Sequence, residues 1–248
     1  MENKIEKLLL ELDHPELNQK FISKKNIKLI DIKEEEIYLS IELNFPYKSQ
    51  TYLYEKIIRD EINKITNIQT NFEWSTKILA RQVQKSVNSI KGIKNVIAIA
   101  SGKGGVGKSS TAANLALALS YEGANVGILD ADIYGPSQPK MMGIAKKPDS
   151  KDGKSMEPIV AHGIQAMSIG FLVDQETPMV WRGPMVTSTL EQLLKETNWD
   201  ELDYLIIDLP PGTGDIQLTL AQKIPVTGSI IVTTPQDIAL LDARRGLK

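Results

Sequence analysis

Apolar positions along the chain follow two regimes. Up to about residue 78 they recur at helical spacing in Ile5, Leu8, Leu9 and Leu12, and again in Leu53, Ile57, Ile58, Ile62 and Ile65. Residues 26–31 and 37–44 instead alternate apolar with polar around the charged tip Lys33-Glu34-Glu35-Glu36, which predicts a β-hairpin. Asp13-His14-Pro15 marks a turn after the first helix, and residues 70–75 read as a further strand. No glycine occurs before Gly92. The pattern predicts a small α+β domain over residues 1–78, followed by a basic helical or irregular linker at 79–94.

From Asn95 the apolar residues gather into short runs separated by helices and Gly/Pro-rich turns. Val96-Ile97-Ala98-Ile99-Ala100, Val126-Gly127-Ile128-Leu129, Tyr204-Leu205-Ile206-Ile207 and Ser229-Ile230-Ile231-Val232 are apolar on both faces and rich in β-branched residues. Such runs suit a mostly parallel sheet with helices on both faces. Residues 110–121 and 186–197 are the clearest intervening helices, so residues 95–248 are expected to form a three-layer α/β domain with right-handed crossovers.

Composition narrows the function. The 248 residues carry 29 Lys+Arg against 31 Asp+Glu, a formal charge of −2, with 42% hydrophobic residues and no cysteine. The hydrophobic content excludes disorder, and the charge balance supplies no bulk field for nucleic acid. A chain without cysteine has no disulfide, no thiolate nucleophile and no Cys-ligated zinc or iron–sulfur site of its own. The N-terminus is unlike a signal peptide and no window approaches 18 consecutive apolar residues, so a cytoplasmic, membrane-free protein is the expectation.

The chemistry is written after the first run of the second regime. Gly102-Lys103-Gly104-Gly105-Val106-Gly107-Lys108-Ser109 matches G-x-x-x-x-G-K-[ST] between a predicted strand and a predicted helix. Glycines let backbone N–H groups turn inward around phosphate oxygens, and the helix N-terminus adds its dipole to the same anion site. Residues 102–110, with Ser110 as the last, are therefore expected to bind nucleotide, Lys108 reaching the β- and γ-phosphates and the Ser109 hydroxyl completing a Mg²⁺ shell. Asp130-Ala131-Asp132 and Asp208 close two further runs, and ligands of open α/β sheets sit beyond the carboxyl ends of strands. Asp208 has the character of a Walker-B carboxylate that holds Mg²⁺ through water, and Asp132 is a candidate to orient the attacking water. A helix cap or turn former is the plainer alternative for each.

Lys103, an extra lysine inside the loop, makes the motif resemble the deviant P-loop of MinD/ParA-like ATPases. Together with Asp130-Ala131-Asp132-Ile133-Tyr134-Gly135-Pro136-Ser137, Trp181-Arg182-Gly183-Pro184-Met185 and Asp208-Leu209-Pro210-Pro211-Gly212-Thr213-Gly214-Asp215, it is similar to the Mrp-type iron–sulfur cluster carrier ATPases over about residues 92–248. Residues 1–78 resemble, more weakly, the small domain that bacterial members carry, whose relatives act in iron–sulfur assembly. Where such domains often have a Cys-containing turn, this chain reads Asn44-Phe45-Pro46-Tyr47-Lys48. The resemblance implies ATP and Mg²⁺ as cofactors, hydrolysis in a homodimer formed through the nucleotide face, and Lys103 reaching the partner subunit's phosphates. Asp132 falls in the first switch segment and residues 208–215 in the second. Iron–sulfur assembly proteins and recipient apoproteins are the implied partners, with no nucleic acid or membrane. The family's 4Fe-4S cluster is held by a Cys-x-x-Cys pair downstream of the position where this sequence stops. The ATPase domain is thus expected to be incomplete at its C-terminus, with weaker ATP affinity than the family norm and no cluster bound by this chain alone.

Other features carry less. His14 and His162 show no ligand spacing and read as polar turn residues, Met141-Met142 as core packing, and Lys146, Lys147, Lys151 and Lys154 as solvated surface. Arg182 fits a structural stack on Trp181 as well as an interface contact. Two functional alternatives remain open at this point: a MinD/ParA-like positioning ATPase, and a catalytically silent scaffold.

Overall fold

The computed structural model describes residues 1–81, 87–133, 135–172, 183–212 and 222–246. Tyr134, the Trp181-Arg182 pair and residues 213–215 of the motifs above lie outside them. The chain divides into two compact units, Met1–Leu79 and Ala80–Lys248.

The first unit runs α1 (Glu2–Glu11), β1 (Ile27–Ile32), β2 (Glu36–Leu43), α2 (Thr51–Ile62) and β3 (Gln69–Thr76). β1 and β2 form the expected antiparallel hairpin, and β3 joins the other edge of β2 in parallel. Alternation along β2 decides which face is covered: Ile37, Leu39, Ile41 and Leu43 are buried, while Glu36, Tyr38, Ser40 and Glu42 keep partial contact with solvent. Against the buried face pack Ile5 and Leu9 of α1 and Tyr54, Ile58 and Ile62 of α2. His14 sits in its turn, where Nδ1 accepts the Glu16 N–H at 3.1 Å. That bond leaves the proton on Nε2, which donates to the Tyr54 hydroxyl at 2.9 Å and ties the turn to α2.

The second unit contains β4 (Ile93–Ala100), α3 (Lys108–Tyr121), β5 (Val126–Asp130), α4 (Gln138–Met141), β6 (Ile159–Ala161), β7 (Ile164–Ser168), α5 (Gly183–Glu196), β8 (Leu202–Asp208), β9 (Gly228–Ile231) and α6 (Asp237–Gly246). β4 begins at Ile93, inside the stretch read as linker, because Ile93 pairs with Leu202 at the start of β8. The sheet order is β6-β7-β5-β8-β4-β9, parallel throughout except for the β6–β7 hairpin at one edge. Successive residues of the central strands face opposite layers. Val96, Ala98, Leu129, Leu205 and Ile207 meet Leu190, Leu193 and Leu194 of α5, while Ile99, Ile128 and Ile206 meet Ala112 and Ala116 of α3. The three-layer α/β expectation therefore holds.

The β6–β7 hairpin was not anticipated. Its turn is His162-Gly163, both with positive φ (50° and 79°), which matches the twist of a two-residue hairpin. His162 is a turn residue, and its Nε2 lies 3.1 Å from the Met142 carbonyl oxygen. The core reading of Met141-Met142 holds for one member only: Met142 is buried beneath α3, whereas Met141 is 46% exposed. Lys146, Lys147, Lys151 and Lys154 are exposed. No helix among the described residues is long and apolar enough to cross a membrane.

Candidate functional site

The site lies at the carboxyl ends of β4, β5 and β8, the strands whose register brings Ile99, Asp130 and Asp208 side by side. β4 gives way to the loop 102–107, and the loop to α3, whose first residue is Lys108 rather than Ser110. Two glycines in the loop take left-handed conformations, Gly105 at φ +77° and Gly107 at φ +91°, which L-residues rarely adopt. Gly102 is required for a different reason: a Cβ there would stand 2.7 Å from Cβ of Asp242 on α6. Behind the loop, the Ser101 hydroxyl donates to the Lys103 carbonyl at 2.8 Å, and the Gly212 N–H donates to the Ser101 carbonyl at 2.8 Å. Among the described residues, no backbone carbonyl is recorded as accepting from the N–H groups of Gly104, Gly105 and Gly107, and such loop donors beside the α3 N-terminus suit an anion.

Lys108 is buried to 6% exposure and turned inward. Its ammonium donates to Oδ1 of Asp208 and stands 3.5 Å from Oδ2 of Asp132 and 3.4 Å from Oγ of Ser109. The fold thus brings Lys108, Ser109, Asp132 and Asp208 together. Lys103, Gly104, Gly105 and Ser110 lie exposed on the outer side of the loop and the start of α3. No ion pair among the described residues engages Lys103.

Two further residues complete this site: Asp130, which the sequence placed in the acidic segment without a role of its own, and Gln138, which it did not single out. Asp130, wholly buried, accepts the N–H groups of Asp132 at 3.2 Å, Ser137 at 2.9 Å and Gln138 at 3.0 Å, together with the Ser168 hydroxyl at 3.2 Å. Burial pushes its carboxyl up to about 6, the N–H of Gln138 opposes this, and the Asp208 charge adds to it. Asp130 therefore organises the segment that carries Asp132. Gln138, also buried, donates its amide to Asp208 Oδ2 at 3.0 Å and to the Ser109 carbonyl at 2.9 Å. The Asp-x-Asp spacing after an apolar run pointed to Asp130; nothing local pointed to Gln138.

The oxygen set of the Ser109 hydroxyl and the Asp208 carboxylate has the hard donors that Mg²⁺ takes in company with phosphates and water. The described residues contain no group of three or more His, Asp or Glu placed to hold a metal by themselves.

A parallel sheet whose glycine-rich loop leads into a helix headed by a buried lysine, with carboxylates on two neighbouring strand ends, defines a P-loop NTPase. Comparison with known proteins makes the class specific. The family model described as ParA, NUBPL iron-transfer P-loop NTPase, matches residues 92–248, and the chain belongs to that family. An iron–sulfur cluster carrier protein of Haemophilus influenzae is 47% identical over 99% of this chain and 67% of its own length. The mouse iron–sulfur cluster transfer protein NUBPL is 53% identical over 69% of this chain and 54% of its own. Among solved structures, a nucleotide-binding protein from Archaeoglobus fulgidus in complex with ADP aligns with a TM-score of 0.55 and 40% identity, covering 63% of this chain and 60% of that one. The chain spans about two thirds of the length of the curated carriers it matches.

Proposed function

We propose that this chain is the nucleotide-hydrolysing part of an iron–sulfur cluster carrier: it binds ATP with Mg²⁺ at residues 102–110 and uses hydrolysis to drive release of the cluster cargo to recipient apoproteins. The observation that carries the reading is Lys108, a buried ammonium on the first residue of α3, directly after the glycine loop, that donates to Asp208 and stands 3.5 Å from Asp132. A buried cation at the head of a helix that follows a glycine-rich loop serves phosphate binding, and neither a flexible glycine loop nor a surface contact needs one.

In this reading Lys108 exchanges its bond to Asp208 for the β- and γ-phosphate oxygens. Ser109 and the Asp208 carboxylate would hold Mg²⁺, which would supply positive charge against the negative charge that develops in phosphoryl transfer. Asp132, placed by Asp130, orients the attacking water. Lys103, exposed on the loop, reaches the phosphates bound by a second copy of the chain in a homodimer formed through the nucleotide face. The unit at residues 1–78 supplies contacts to assembly proteins. With no cysteine in the sequence, the thiolates that hold the cluster are not this chain's own.

The test is binding and hydrolysis of Mg·ATP by the wild type and Lys108→Ala. Loss of a preorganised cation from such a site is expected to lower turnover roughly 10²- to 10³-fold. A wild type that binds no ATP, or a Lys108→Ala variant with unchanged turnover, overturns the reading.

A further inference from the structure

We propose that Gln138 is a positioning residue of the Mg²⁺ and phosphate site, acting through Asp208. This rests on the nucleotide reading above. The two partners of its side chain, Asp208 Oδ2 at 3.0 Å and the Ser109 carbonyl at 2.9 Å, are both acceptors, so the amide nitrogen must face them and Oε1 must point away. The orientation of the amide is thereby set by chemistry. Among the described residues Oε1 meets no donor, although Gln138 is only 2% exposed. A buried amide with one end unsatisfied is costly where an apolar side chain of the same size would fill the space at no such cost. Packing alone therefore does not explain a glutamine at this position.

Its connections do. The backbone N–H of the same residue donates to Asp130 Oδ2 at 3.0 Å. One residue thus joins the end of β5 to the end of β8 and to the first turn of α3. Asp208 Oδ1 is engaged by Lys108 and Oδ2 by Gln138, which fixes the carboxylate plane. When Lys108 turns to phosphate, the amide remains the group that aims Asp208 at the ion. Any shift of the segment carrying Asp132 reaches Asp208 through Gln138, so water orientation and ion binding move together.

The experiment titrates Mg²⁺ against binding of a fluorescent ATP analogue by the full chain and by the variants Gln138→Met and Gln138→Asn. Methionine keeps the size and removes the donors; asparagine, one methylene shorter, cannot span both acceptors. Partners that orient metal ligands typically change ion affinity by roughly tenfold or more. Gln138→Met should therefore need about tenfold more Mg²⁺ for half-maximal binding, with nucleotide affinity at saturating Mg²⁺ retained and Gln138→Asn intermediate. A wild-type Mg²⁺ midpoint in either variant overturns the inference. So does a loss of nucleotide affinity that is equal at every Mg²⁺ concentration, which is the signature of a packing role. A wild type without nucleotide binding defeats the functional reading, and this inference with it.

Discussion

The Lys108–Asp208 pair offers a quantitative test of how this site is held. Lys108 is 6% exposed and Asp208 is fully buried, so solvent does not screen their attraction, and each charge is tolerable only because of the other. Lys108→Met leaves the Asp208 carboxylate, among the described residues, with the Gln138 amide as its remaining side-chain bond and with Asp132 nearby, while Asp208→Asn leaves the ammonium with Asp132 at 3.5 Å. Removing one partner of a buried pair costs roughly 3–5 kcal/mol. The double variant removes both charges, so its loss should fall well short of the sum, with a coupling of about 2–3 kcal/mol. The assay is urea denaturation without nucleotide in a Trp74→Phe background, where emission comes from Trp181 and Trp199, both in the second unit. Additivity within about 0.5 kcal/mol would refute the argument that the two charges depend on one another.

Asp130 predicts a pH dependence. Its carboxyl is raised from 3.8 to about 6, above the unfolded value, so its contribution to stability is fully present below about pH 4 and is lost as pH rises through about 6, a change of about 3 kcal/mol. Asp130→Asn should flatten the fall in unfolding free energy between those pH values; an unchanged slope in denaturation series contradicts this. Gly127→Ala places a Cβ 2.5 Å from Leu202 Cδ1 and 3.1 Å from both Leu205 Cδ1 and Trp199 Cζ3, so overpacking should cost about 1–3 kcal/mol by denaturant titration, and a neutral result defeats the claim. Gly102→Ala should displace α6, which hydrogen exchange along residues 237–246 reports as lost protection; unchanged exchange speaks against it. Lys103→Ala should leave the midpoint of thermal unfolding unchanged, because the side chain is exposed, yet lower ATP turnover in proportion to dimer formation. Equal turnover would remove Lys103 from the mechanism.

What was legible in the sequence was local. The β2 alternation, the doubly buried strands and the glycine loop each depend on residues within a few positions of one another, because side-chain period and backbone freedom are local properties. Lys108, Ser109 and Asp208 could be singled out for the same reason: each ends or begins an element whose direction the pattern reveals. The β6–β7 hairpin left a weaker trace in His162-Gly163, since the strong two-residue hairpin signals are Asn-Gly, Asp-Gly and Gly-Gly.

Tertiary structure decided what no window contains. Asp130 and Asp132 are two residues apart and look interchangeable, but strand register places Asp130 beside Asp208 under four donors and leaves Asp132 to face Lys108. Gln138 reads as an unremarkable polar residue before Pro139 until β8, 70 positions away, arrives within hydrogen-bonding distance. Gly102 looks like one more loop glycine until α6 comes to rest against it. Local sequence determined that this chain builds a P-loop on a parallel sheet, because steric and periodic preferences act over a few residues. The partners of each buried charge were settled only by folding, because the chain must bring distant donors to a carboxylate before it can leave water.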